Sequence, residues 1–286
     1  MDWFRIVALL LALYLLFNLV LWLVAPRLVF PAPEPSYTFA EPLYRRLELP
    51  GGAGQFVLTL QEPSPAEVIQ RLPGAEERVV LYFHGNATDL GYVQRRIDAL
   101  KAYGFTVCAP DYPGYGQSGG KASESGTLAT AEASYQYLLD QGYEPQQIVI
   151  WGRSLGSGPA CHLASQVPCD RLILETAFAS IVRVKFPFRI TFWDMFDNLA
   201  RARDIQCPAL VLHGKQDRIV PFDHAEKLAA ALAGPVETLY ADTAGHNDLP
   251  DVAGTLYWET VLNFAVGQPP QPLVVPVSAQ FSTLED

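Results

Sequence analysis

A serine, a carboxylate and a histidine, each at the end of a strand-like segment, could together cleave an acyl bond in this 286-residue chain. The serine is Ser154, in Gly152-Arg153-Ser154-Leu155-Gly156. A G-x-S-x-G match alone is weak, arising by chance in roughly a tenth of chains of this size. Its context sharpens it. IVIWG before the serine reads as a strand, and LGSGPACHLASQ after it reads as a helix with small residues at its start. A serine at such a strand-to-helix turn sits on strained backbone, and flanking glycines remove the Cβ clashes that would block the turn. A glycine-rich loop packed for shape, or a phosphate cradle, would look similar, but no Lys follows as it does in a P-loop.

A serine hydroxyl is a poor nucleophile at neutral pH and needs a base that is itself held by an acceptor. Five histidines compete for that role. His162 lies about two turns into the helix after Ser154, and its position suits packing or solvent. His213 ends a strand and reads as structural, His224 opens a helix and reads as a surface residue, and His84 reads as shaping a loop. His246 remains, in Ala244-Gly245-His246-Asn247-Asp248, a loop between the last strand and the last helix that can reach back over the carboxyl edge of a sheet. For the acid, Asp217 follows the penultimate strand in Leu212-His213-Gly214-Lys215-Gln216-Asp217. There it could hold the imidazole in one tautomer and stabilise the imidazolium. Asp223, Asp248 and Asp251 sit at helix starts or beside the base, where capping is the simpler account.

Acyl transfer also needs donors aimed at the oxygen that becomes negative, a task suited to backbone N–H groups. The N–H of Leu155 is one candidate, and that of Asn86 or Ala87, in the small-residue loop of Leu81-Tyr82-Phe83-His84-Gly85-Asn86-Ala87, is the other; a plain turn is the alternative. The Gly-rich stretch from Asp111 to Gly119 reads as architecture.

The elements that must position these residues alternate in type. Strand-like segments fall at Gln55–Gln61 (half-exposed by its alternation), Arg78–Phe83, Phe105–Pro110, Gln147–Trp151, Arg171–Glu175, Ala209–His213 and Val236–Ala241. Helical spacing occupies Leu90–Tyr103, Leu128–Leu139, a segment from Leu155, His224–Leu232 and Val252–Ala265. Repeated β-then-α order with apolar strands predicts an α/β fold, a mostly parallel central sheet with helices on both faces.

Before this body, no charge occurs between Arg5 and Arg27, and about 21 residues from Ile6 to Pro26 suffice to cross a hydrocarbon core near 30 Å. Residues 1–26 are expected to be a retained single-pass transmembrane anchor. A cleaved signal peptide and a buried helix are the competing readings, but a signal's apolar region usually runs only about 7–15 residues, and Pro26 after Ala25 is a poor cleavage context. Charge near the two ends does not assign a side of the membrane. Residues 27–39, with Pro31, Pro33 and Pro35, read as a stiff extended linker. Residues 40–267 form the catalytic domain, and 268–286 a Pro-containing C-terminal tail.

Composition narrows the partners. Acids outnumber bases 30 to 20, for a net charge of −10, with no Lys/Arg cluster, so nucleic acid is excluded as a partner. The cysteines, Cys108, Cys161, Cys169 and Cys207, lack metal-site spacing, and neither a metal nor an organic cofactor is implied. Cys169 and Cys207 each precede a strand that could neighbour the other, which leaves a disulfide open. Between the strands near Glu175 and Ala209, a small cap at about 177–206 carries Phe186, Phe188, Phe192, Trp193, Met195 and Phe196. Such an aromatic segment could cover the site, accept an acyl chain, dip toward the bilayer, or simply pack on the body. Of these, Phe186, Phe188, Phe192, Trp193 and Met195 are the substrate-binding candidates.

The stretches LYFHGNATDL, APDYPGYGQSGG, GRSLGSGPA, CPALVLHGKQDRIVP and AGHNDL together resemble the α/β-hydrolase superfamily over nearly all of residues 40–266. Their order is most similar to the membrane-anchored serine hydrolases of the ABHD and Bem type. That resemblance implies the α/β-hydrolase fold with an N-terminal hydrophobic anchor, a small cap, and ester or thioester cleavage on lipidic groups. It also implies Ser154 as nucleophile, Asp217 as acid and His246 as base, in the chain order of that fold. The expected activity is hydrolysis of a small-molecule or lipidic ester or thioester with an apolar acyl group, through an acyl-enzyme. A peptidase or amidase using the same machinery and a catalytically silent anchored binding module are the alternatives.

Overall fold

The computed structural model describes residues 3–52, 54–186, 190–269 and 272–273. Its body is an eight-stranded sheet in the order β1-β2-β4-β3-β5-β6-β7-β8. The strands are β1 (Tyr44–Glu48), β2 (Gln55–Gln61), β3 (Val79–Phe83), β4 (Thr106–Pro110), β5 (Ile148–Arg153), β6 (Arg171–Glu175), β7 (Ala209–Gly214) and β8 (Val236–Ala241). The edge strand β1 pairs antiparallel with β2 and β2 antiparallel with β4, and every other pairing is parallel. Parallel strands need crossovers, which run through α2 (Leu90–Lys101), α3 (Glu124–Asp140), α4 (Ser157–Ala164) and α7 (Asp223–Ala231), while α8 (Leu249–Ala253) and α9 (Thr255–Val266) follow the last strand.

The central strands are apolar without alternation because both of their faces are covered. Successive residues of β3 and β5 divide between two cores. Val79, Leu81, Phe83, Ile148 and Ile150 pack with Leu138 and Leu163 on one side. Val80, Tyr82, Val149 and Trp151 pack with Ile97, Trp258 and Leu262 on the other. Three expectations change here. The strand β2 is not half-exposed: β1, a strand that the sequence pattern did not reveal, pairs with one edge and β4 with the other, and Phe56 through Thr59 are buried. The closing helix is two helices, because Gly254 adopts φ 54°, a left-handed conformation that interrupts α8 and α9. Leu155 lies in a single 3-10 turn, Ser154–Gly156, and α4 begins only at Ser157.

The N-terminal helix, α1, runs Trp3–Val29 and so continues past Pro26 rather than stopping there. Proline removes one intrahelical hydrogen bond, but Phe30 N–H still bonds the Pro26 carbonyl at 3.0 Å. Val29 and Phe30 are buried, and the Phe30 ring packs edge-on against Phe196, which holds the last turn in place. The segment that follows is not a free spacer. Ser36 N–H donates to Asp89 Oδ2 at 2.7 Å, and Tyr37 Oη–H donates to Asp111 Oδ2 at 2.6 Å, strapping the segment across the ends of β3 and β4. The cap region holds two short helices, α5 (Ile181–Lys185) and α6 (Asn198–Ala202), with irregular chain between them. Phe188 lies outside the described residues, as does most of the tail after Gln268.

Candidate active site

Ser154 sits immediately after β5 with φ 49°, a left-handed backbone that a non-glycine residue rarely adopts. The glycines around it explain how the turn closes. A Cβ on Gly152 would lie 2.6 Å from the Ala160 Cβ, and one on Gly156 would collide with the main chain of Phe83. The sharp turn therefore needs both glycines for close backbone approach, and it lifts the hydroxyl to the carboxyl edge of the sheet.

Two loops from later in the chain meet that hydroxyl. The loop after β8 brings His246, whose Nε2 accepts the Ser154 O–H at 2.9 Å. His246 Nδ1–H donates to Asp217 Oδ2 at 2.7 Å. Asp217 follows β7, and its other oxygen, Oδ1, accepts the N–H groups of Ile219 and Val220, each at 2.8 Å. Burial alone would raise the Asp217 carboxyl. Hydrogen bonds from His213 and His246, the charge of His246 and the Val220 N–H outweigh it and hold the carboxyl well below the usual carboxylate range. A charged acceptor fixed by the Ile219, Val220 and His246 donors can hold one imidazole tautomer, leaving Nε2 free to take the serine proton.

His213 contributes more than its strand-end position suggested. Its Nε2–H donates to the Val220 carbonyl at 2.9 Å and lies 3.3 Å from Asp217 Oδ2, so the carboxylate is flanked by two imidazoles. The signal was present in the sequence: residues four apart across the tight turn from Gly214 can face one another. His162 is buried against Glu132 at 2.7 Å. His84 sits under the loop after β3, with Nδ1 2.8 Å from the Gly85 carbonyl and Nε2 3.2 Å from Asp111. His224 is not a surface residue. It is buried, its Nδ1 accepts the Ala179 N–H at 2.9 Å, and its Nε2–H donates to the Arg183 carbonyl at 3.2 Å. A single histidine thus ties α7 to both ends of the first cap turn. That role needed tertiary contacts with residues about 40 positions away, which spacing does not show.

The rival carboxylates are otherwise engaged. Asp223 pairs with Lys227 at 2.6 Å. Asp248 accepts the Gly245 N–H at 2.6 Å, closing the turn that carries His246 rather than capping the next helix. Asp251 lies in the first turn of α8. Glu175 ends β6, next to β7, and is only 1% exposed. Its two oxygens take both Arg96 nitrogens at 3.2 Å, the Trp151 indole at 3.1 Å and the Tyr257 hydroxyl at 2.9 Å, which neutralises the buried charge. Arg153, inside the G-x-S-x-G motif, lies 3.6 Å from Glu175 and donates to Asn247 Oδ1 at 3.1 Å, linking the serine turn to the residue after His246.

The loop after β3 approaches from the other side. A Cβ on Gly85 would stand 3.7 Å from the Ser154 Cβ, so the loop that carries Gly85 borders the serine, and Leu155 is the middle residue of the 3-10 turn that Ser154 begins. An anionic tetrahedral intermediate requires N–H donors beside the serine hydroxyl, and these are the two backbone segments next to it. The aromatic candidates are dispersed. Met195 is buried in the core and Phe186 is half-buried, whereas Phe192 and Trp193 stand against α1, where the Phe192 N–H donates to Asn18 Oδ1 at 3.3 Å and the Trp193 indole to the Asn18 carbonyl at 3.2 Å.

Comparison with known proteins agrees with this architecture. Residues 78–189 match the family described as alpha/beta hydrolase fold. The chain is 31% identical over 247 residues to the alpha/beta hydrolase domain-containing protein aho-3 of Caenorhabditis elegans, covering 79% of this chain and 73% of that protein. It is 30% identical over 266 residues to the alpha/beta hydrolase domain-containing protein 17C of Xenopus tropicalis, covering 79% and 84%. Among solved structures, the Pyrococcus furiosus esterase Pf2001 superposes with a TM-score of 0.63 at 16% identity, over 82% of this chain and 98% of that one. An esterase from Exiguobacterium antarcticum gives 0.58 at 14% identity, over 77% and 98%. At such low identities these two likenesses speak to the fold. Sequence identity across most of their length to the first two relatives, on that fold, makes this chain a member of the α/β-hydrolase superfamily, in the branch of the α/β-hydrolase domain-containing proteins.

Proposed function

We propose that the protein is a membrane-anchored serine hydrolase that cleaves carboxylic esters or thioesters through an acyl-enzyme on Ser154. The observation that carries this reading is the unbroken hydrogen-bonded chain from Ser154 Oγ through His246 to Asp217, at 2.9 and 2.7 Å. In the first half-reaction His246 Nε2 takes the hydroxyl proton as Ser154 Oγ attacks the acyl carbon. Asp217 keeps the resulting imidazolium oriented and charge-balanced. The N–H of Leu155 and that of Asn86 or Ala87 stabilise the oxyanion. His246 then protonates the departing alcohol or thiol. Water, deprotonated by the same imidazole, attacks the acyl-enzyme and regenerates Ser154.

The substrate is a small-molecule or lipidic ester or thioester with an apolar acyl group, for which the cap segment supplies apolar surface at the half-buried Phe186 and, by its sequence position, at Phe188, whereas Met195 is buried in the core and Phe192 and Trp193 stand against α1. The apolar helix α1, with mean hydropathy 2.7 over its most apolar window, supports single-pass insertion in a membrane. The reading divides the chain into anchor, strap, catalytic body with its cap at about 177–206, and tail.

A fluorophosphonate probe tests the mechanism directly. Folded wild-type protein is expected to be labelled covalently, and Ser154→Ala to lose the label with its thermal unfolding unchanged. Labelling that persists in Ser154→Ala, or is absent from folded wild type, refutes the assignment. Acyl esters of increasing chain length assayed against peptide amides then define the scissile bond. Faster turnover of the amides would replace the esterase reading with an amidase one.

A further inference from the structure

The helix α1 carries no charge between Arg5 and Arg27, yet one of its faces is not available to lipid. Asn18 is fully buried, Leu21 and Ala25 are partly buried, and Val29 is buried; these four follow helical spacing on a single face. Asn18 is the polar residue at the centre of the contact. Its Nδ2 donates to the Tyr14 carbonyl at 3.0 Å, its Oδ1 accepts the Phe192 N–H, and its own carbonyl accepts the Trp193 indole N–H. Only the first half of the helix, up to Phe17, stands clear of the body.

Length sets where this contact must lie. Arg5 marks one boundary of the apolar run, and at about 1.5 Å per residue the rise from Ile6 to Asn18 is roughly 18 Å. A hydrocarbon core near 30 Å thick therefore extends about 12 Å beyond Asn18, to around Pro26, just before Arg27. A tilt of about 20° shortens these distances by only a few per cent. If α1 spans a bilayer, Asn18 is inside the hydrocarbon, and the chain that hydrogen-bonds it is at the same depth.

We propose that the cap tip, Thr191–Trp193, is immersed in bilayer hydrocarbon beside the second half of α1, so that the catalytic body is seated in the membrane surface rather than tethered above it. This rests on the transmembrane reading of α1. Irregular backbone survives in hydrocarbon only where its polar groups find partners within the protein. At this tip three of them do: the Phe192 N–H and the Trp193 indole bond Asn18, and the Thr191 hydroxyl donates to the Trp193 carbonyl. Asp194, the nearest charge after the tip, directs Oδ1 to the N–H groups of Val182 and Met195. The Phe192 side chain is 63% exposed, beside a helix whose own apolar side chains Leu19, Val20, Trp22 and Leu23 are about half exposed. A lipid tail is the occupant that matches this surface in both chemistry and depth.

The test uses full-length protein in dioleoylphosphatidylcholine vesicles, with Cys169→Ser and Cys207→Ser removing the half-buried thiols. An environment-sensitive nitrobenzoxadiazole label is placed on one cysteine at a time: Leu10→Cys on the free half of α1, Phe192→Cys on the cap tip, or Ile69→Cys on the exposed body. Doxyl-labelled phosphatidylcholine is expected to quench the label at 192 at least fivefold more than at 69, and aqueous iodide to quench it at least fivefold less. A label at 192 that behaves like the one at 69, while 10 is lipid-quenched, overturns the proposal and leaves the anchor intact. A label at 10 that behaves like 69 overturns the anchor reading and this inference with it. Shielding of 192 from both quenchers, with energy transfer between differently labelled copies, would mean that a second copy covers the tip and would also overturn the proposal.

Discussion

Replacing Asp217 with Asn leaves side-chain volume almost unchanged, and the structure fixes which way the new amide must point. The Ile219 and Val220 N–H groups both aim at Oδ1, each at 2.8 Å, so the amide oxygen has to stay there. The NH2 group then occupies the position of Oδ2, 2.7 Å from His246 Nδ1 and 3.3 Å from His213 Nε2. His213 is already donating to the Val220 carbonyl, so the amide's available acceptor is His246 Nδ1. His246 must then carry its proton on Nε2, where it points at Ser154 Oγ and cannot accept the serine proton. Losing the productive tautomer in a Ser-His-Asp arrangement costs roughly 10⁴-fold in kcat, or about 5 kcal/mol of transition-state stabilisation. Hydrolysis of p-nitrophenyl acetate, with the rate of fluorophosphonate labelling alongside, measures this, and thermal unfolding checks that the variant is folded. A folded Asp217→Asn protein within tenfold of wild-type kcat would refute the argument, because it would show that Asp217 does not set the tautomer.

Three further outcomes follow from contacts around the same sheet edge. Gly156→Ala drives a Cβ into the main chain of Phe83, which cannot rotate away, and should destabilise the protein by about 1–3 kcal/mol; the unfolding midpoint, expected to fall by about 2–4 °C per kcal/mol, reads this. Burial holds the His224 imidazole below its ordinary value, although Asp223 and the Arg183 carbonyl oppose the shift. The unfolded chain therefore binds the proton more readily: stability from the neutral ring is complete above about pH 6.5 and declines as the pH falls through that value toward the lower folded one. Unfolding midpoints measured between pH 7.5 and 5 should fall less in a His224→Gln variant than in wild type, and equal slopes would contradict this. The Sγ atoms of Cys169 and Cys207 are 3.3 Å apart at the amino ends of β6 and β7, the edge of the sheet opposite Ser154. A diazene oxidant should convert the two thiols to one disulfide, seen as a loss of about 2 Da by mass, with esterase activity changed less than twofold.

Much of this molecule can be read along the chain because its information is local. The β-then-α alternation predicts the parallel sheet because a strand buried on both faces needs an unbroken apolar run and its return helix needs an apolar stripe. Ser154 was legible for the same reason: the glycines that permit its turn are its immediate neighbours. Asp217 and His246 were legible from their places after successive strands, since the carboxyl ends of parallel strands share one edge. Phe188 and most of the tail lie beyond the described residues, so expectations for them stay with the sequence.

Tertiary structure decided what depends on strand order and on contacts between distant segments. The sheet order sets β6 beside both β5 and β7, which lets Arg153, Glu175 and Arg96 meet across more than 50 positions of sequence. It sets β1 on the edge of β2, and so turns an alternating strand into a buried one. It puts His224 under the cap, straps Ser36 and Tyr37 to Asp89 and Asp111, and seats Phe192 and Trp193 on Asn18. None of these partners is set by a local period. A hydrogen bond across 174 residues becomes specific only when the whole core has closed and brought its donor to its acceptor.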